Sequence, residues 1–159
     1  MRNRLVTALF LQLFAAAAAA QSYGFAFPAN ARLILPVGVA AELLQQCSRP
    51  SPAGATGYWV PEEARVQRLE EQLVVYLEGL SKSGVEVPPR GIAFHRQYVG
   101  FVRGQALYIY GNFYPGRNQP SSQERRLPSM ICDGGASHWG IVYNVANERF
   151  EELYFNGVT

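Results

Sequence analysis

The stretch YVGFVRGQALYIYGNFY, residues 98–114, decides the fold. Apolar and aromatic residues run on both sides of Arg103-Gly104-Gln105, and the glycine there suits a tight reversal, so the segment predicts a β-hairpin. A strand turns successive side chains to opposite faces. On the second strand Leu107, Ile109, Gly111 and Phe113 therefore share one face, and Tyr108, Tyr110, Asn112 and Tyr114 share the other. The first set predicts a face packed against a helix. The second predicts an aromatic strip, open to a partner unless residues 48–61 or 115–128 fold across it.

Upstream, Val66, Leu69, Leu73, Tyr76, Leu77 and Leu80 recur at helical spacing after Pro61, with Arg65, Arg68, Glu70, Glu71 and Glu78 assigned to the solvent side. Burying six such side chains at roughly 1.5–3 kcal/mol each makes this helix a main contributor to the core, ending by Gly84. A shorter first helix is read from Val37, Ala40, Leu43, Leu44 and Cys47, which places Cys47 inward. Arg32–Leu35 reads as a short strand, and residues 48–61, rich in proline and glycine, as a loop or lid.

Downstream, residues 115–128 read as a polar loop, Ser129–Cys132 as a short strand, and Asp133-Gly134-Gly135 as a turn. Trp139–Val145 and Arg149–Phe155 form a second hairpin. The expectation is an α+β fold: one long helix, plus a shorter N-terminal helix, packed on an antiparallel meander of about five strands.

Two arginines in Met1–Arg4 precede an uncharged apolar run from Leu5 to Ala20, and Ala18-Ala19-Ala20 is the small-residue pattern of a cleavage site. Residues 1–20 thus read as a signal peptide, and residues 21–159 as one α+β domain, periplasmic or secreted, with no later membrane-spanning segment. Removing Arg2 and Arg4 leaves twelve basic and twelve acidic side chains, a neutrality that argues against a nucleic-acid partner. Lys82 is the sole lysine, an arginine-rich usage that fits a bacterial source.

Cys47 and Cys132 are the only cysteines and, in an oxidising compartment, read as a disulfide closing an 86-residue loop. The chain-entropy treatment assigns such a closure about 4–5 kcal/mol. Candidate acid–base residues are His138, Asp133 and His95, which suit general acid–base work if the sheet brings them together, although the first two also read as ordinary turn residues. Phosphate-loop, dinucleotide and paired-histidine fingerprints are absent, so no cofactor or metal is implied. Tyr58, Trp59, Tyr108, Tyr110 and Tyr114 are candidates for a recognition surface facing a protein or cell-wall glycan. The resulting expectation is an exported binding or inhibitory module; the alternative is a small periplasmic hydrolase using Asp133 and His138.

The processed product is expected to begin at or near Gln21, which intact-mass measurement of the exported protein checks; recovery of membrane-embedded chain that keeps Met1–Ala20 would contradict it.

Overall fold

The computed structural model describes residues 24–116 and 118–158. The signal-peptide reading of residues 1–20 lies outside them. Among the described residues two α-helices, α1 (Ala40–Leu44) and α2 (Glu63–Lys82), accompany six strands: β1 (Arg32–Ile34), β2 (Ala55–Trp59), β3 (Phe94–Arg103), β4 (Ala106–Pro115), β5 (Trp139–Asn144) and β6 (Arg149–Phe155). The fold is α+β with one mixed sheet.

Helix α2 forms where the apolar period predicts it. Glu63 in its first turn and Lys82 in its last complement the helix dipole. It ends because Gly84 takes a left-handed φ of 73°, so the Val85 and Gly84 N–H groups close back on the Leu80 and Ser81 carbonyls. Val66, Leu69, Leu73 and Leu77 are buried against Tyr98, Ile109, Phe113 and Trp139 on one sheet face. Glu70 departs from the expected solvent-facing set. It is buried, because Arg96 on β3 is fully buried beneath it and needs a carboxylate.

Strands β3 to β6 form an antiparallel meander, with Tyr98 opposite Gly111 and Asn112 opposite Gly140. The sheet exceeds the expected five strands and is not wholly antiparallel. The outer edge of β3 is shared: β1 pairs with Arg96–Tyr98 in parallel, and β2 pairs antiparallel with Gly100–Arg103. Residues 48–61 are therefore not all loop. Trp59 lays its indole over Gly100, where any Cβ would lie 2.4 Å from the ring, and donates its Nε1–H to the Phe101 carbonyl at 3.2 Å. No strand forms at Ser129–Cys132, because side-chain amides take up the backbone groups there.

The first helix is shorter than its apolar pattern implies, following a 3-10 turn at Val37–Val39, and Cys47 lies beyond it on the surface. Cys47 and Cys132 are bonded with their Cα atoms 5.0 Å apart, as an oxidising, extracytoplasmic compartment favours. No helix among the described residues is long and apolar enough to cross a membrane.

The tyrosines of β4 do turn away from α2, as alternation requires, but they are not an open strip. Tyr108, Tyr110 and Tyr114 are only 9%, 2% and 6% exposed. Helix α1, through Leu43 and Leu44, packs with Val99, Phe101, Tyr108, Tyr110 and Val142 in a second core on that face. Tyr108 stacks on Phe101 with centroids 5.3 Å apart. Tyr110→Ser is therefore expected to cost about 3–5 kcal/mol, the range for removing a buried ring, measured as a lowered urea midpoint. An unchanged midpoint would mean that this second core carries little stability.

Candidate functional site

Strands β3 and β4 place polar side chains among the apolar ones on the face opposite α2: His95 and Gln97 from β3, Asn112 from β4. Buried amides need partners. They find them in the backbone of residues 118–138, which crosses this face without regular structure for most of its length. Gln97 Nε2 donates to the Glu124 and Leu127 carbonyls, each at 2.8 Å, and its Oε1 accepts the Ser129 N–H at 2.7 Å. Asn112 Nδ2 donates to the Ser129 carbonyl at 2.9 Å. Asn156, beyond β6, donates to the Ile131 and Asp133 carbonyls.

Arg49 ties Asn112 to Asn156. Buried beneath the segment, it donates to Tyr110 Oη at 2.9 and 3.1 Å, to Asn156 Oδ1 at 2.6 Å and to Asn112 Oδ1. None of these acceptors is a carboxylate. The guanidinium charge is held by neutral oxygens, which the short contacts and burial make strong hydrogen bonds. Burial also raises the Tyr110 phenol, against the opposing pull of Arg49.

With its backbone fixed from below, this segment sends side chains outward. Leu127, Met130 and Ile131 are 47%, 44% and 38% exposed within five residues of chain. Arg125 and Arg126 beside them are exposed, and among the described residues neither forms an ion pair. The disulfide anchors the segment immediately after Ile131.

The residues expected from sequence are scattered. His95 is buried, with Nδ1 2.9 Å from Glu124 Oε1 and Nε2 2.7 Å from the Asn118 carbonyl. His138 Nδ1 lies 3.0 Å from Ser137 Oγ. Asp133 is exposed and shares no hydrogen bond with either ring. Among the described residues no three His, Cys, Asp or Glu side chains gather as a metal would require. The crevice beside His138, lined by Arg49, Asn112, Tyr114 and Ser129, is too narrow for a water molecule. Of the five proposed recognition aromatics, Tyr58 alone is clearly exposed, and Trp59 is half-buried.

Sequence reasoning passed over Arg49, Gln97, Asn112 and Asn156, and with them the loop they hold. The available signal was Gln97 and Asn112 sitting at inward positions of otherwise apolar strands. A separate apolar trough of about 690 Å³ runs between α2 and β6 past Val75, Tyr76 and Phe150.

Glu124 links the segment to the sheet. Burial works against its charge, but the Ser121 backbone N–H and hydroxyl, His95 and Tyr114 hold its carboxyl down to about 2. A carboxyl depressed on folding adds stability that is complete above its ordinary value and disappears as pH falls through the folded value. The thermal midpoint of the wild type is thus expected to exceed that of Glu124→Gln by its full margin between about pH 4.5 and about pH 5.5, below the imidazole range, with the margin closing toward pH 2. A margin independent of pH would show that the charge contributes nothing. No family model matches the chain, and neither a curated protein nor a solved structure does.

Proposed function

We propose that the chain is an exported binding or inhibitory module that recognises a partner protein through residues 125–131. Leu127, Met130 and Ile131 enter an apolar pocket of the partner, and Arg125 and Arg126 meet carboxylates at its rim. One observation carries this reading: large apolar side chains stand in solvent on a backbone that buried Gln97, Asn112 and Asn156 already hold in place. A loop ordered before contact loses little entropy on binding, so more of its contact energy appears as affinity. Unpaired arginines beside such anchors favour an acidic partner surface and speed encounter.

The disulfide between exposed cysteines supports a place outside the cytoplasm. An aromatic strip as the contact surface, for protein or glycan, loses support because the β4 tyrosines are buried. The hydrolase alternative has less: Asp133 and His138 share no hydrogen bond, and the crevice beside His138 admits no substrate.

The test compares partner capture from periplasmic extract by the wild type and by variants of equal thermal stability. Leu127→Ser/Met130→Ser/Ile131→Ser is expected to weaken capture by about 30-fold or more, the effect of losing hot-spot anchors. Arg125→Glu/Arg126→Glu is expected to slow association and reduce its salt dependence. Tyr58→Ser and Val75→Ser are expected to change neither. Capture lost with Tyr58→Ser or Val75→Ser but indifferent to the loop, or glycan hydrolysis abolished by His138→Ala, would overturn the reading.

A further inference from the structure

Both ring nitrogens of His95 face oxygen acceptors, the Glu124 carboxylate through Nδ1 and the Asn118 carbonyl through Nε2. A neutral imidazole has one N–H and one lone pair, so in either tautomer one of these contacts sets a lone pair against an oxygen. Only the doubly protonated ring donates to both. Glu124 does not supply the missing proton, because its carboxyl is kept ionised by the contacts already described and accepts the Tyr114 hydroxyl at 3.1 Å as well.

The ring is buried and meets Tyr114 edge-on at 5.5 Å. Among the described residues, the titratable and charged groups facing it are Glu124 from the loop and Tyr114 from β4. Burial, and next to it Glu124, raise the Tyr114 phenol, which stays protonated. Imidazole is the side chain whose charge changes near neutrality.

We propose that His95 and Glu124 form a proton-operated clamp on the contact loop, closed while the ring carries both protons and opened when it loses one. Opening releases residues 118–123, whose Ser121 and Gln123 carbonyls accept the Arg125, Arg126 and Leu127 amides, whereas Gln97 keeps its hold on the Glu124 and Leu127 carbonyls and Asn156 on those of Ile131 and Asp133. The consequence for partner binding rests on the contact-loop reading; the clamp itself does not.

The test is amide hydrogen exchange of the exported protein at about pH 5.5 and about pH 8.5, on either side of the imidazole range, corrected for intrinsic exchange. Protection across residues 118–127 is expected to be about tenfold lower at the higher pH, the loss of one charge-assisted hydrogen bond, with β3 and β4 unchanged. His95→Gln is expected to abolish the difference, and His138→Gln to retain it. Equal wild-type protection at both pH values, or a difference that survives in His95→Gln, overturns the proposal. Should His95→Gln fail to fold, Glu124→Gln serves: a pH response undiminished in that variant also overturns it. Failure of partner capture with a working clamp sinks the contact-loop reading alone.

Discussion

A polar group taken out of water must find a partner, and the two central strands of this sheet carry such groups on both faces. Toward α2, Arg96 donates to Glu70 at 2.7 Å and to the carbonyls of Phe94 and Pro28. Glu70 also accepts Arg32 and the Tyr98 hydroxyl. One carboxylate thereby joins α2, β1, β3 and the lead-in chain at Pro28. Arg96 has Glu70 as its carboxylate partner while Arg32 also pairs with Glu63, and leaving a buried charge such as Arg96 without its counter-ion typically costs about 3–5 kcal/mol. The apolar contacts of α2 supply the stability of the layer, while this cluster sets how helix and edge strand sit on the sheet.

The opposite face meets the same requirement with different chemistry. Gln97, Asn112, Asn156 and Arg49 face no buried carboxylate; the three amides are satisfied largely by backbone carbonyls and N–H groups of an irregular segment, and Arg49 by the side-chain oxygens of Tyr110, Asn112 and Asn156. Amides suit this task because each offers both a donor and an acceptor. A regular strand at 129–132 would spend its backbone groups on a neighbouring strand. Here they go to side chains beneath, and Met130 and Ile131 are left free to face outward. Order in the loop thus comes from the scaffold and not from the loop's own composition, so its exposed side chains can vary without loss of fold.

What the sequence made legible was local. Alternation in residues 98–114 located the hairpin and assigned each tyrosine to its face; helical period located α2; cysteine count and compartment paired Cys47 with Cys132. What it hid was long-range. The exposure of Tyr110 depends on α1 and on Arg49, far away in sequence, so alternation could state its direction but not its cover. Glu70 follows the polar side of the α2 pattern and is drawn inward only because Arg96 lies opposite. Strand β2 contains Gly57 in a proline-rich setting and owes its existence to the free edge of β3 and to Trp59 closing over Gly100. The site was hidden for a related reason: its outward residues look like ordinary loop, and the residues that hold it look like ordinary strand.

The disulfide and the amides constrain the loop in different ways. A cross-link between Cys47 and Cys132 restricts the unfolded chain over its whole 85-residue separation and fixes one point of the folded loop. It does not determine which way Met130 or Leu127 points. That direction follows from the carbonyls at Glu124, Leu127, Ser129, Ile131 and Asp133 being turned inward to the amides, roughly every second residue along the segment. Reduction of the disulfide therefore acts first on global stability, whereas loss of an amide acts on local loop order. Arg49 stands between the two. It lies two residues from Cys47 and bonds to both Asn112 and Asn156, so the cross-link that holds residue 47 also places the cation that orients the amides.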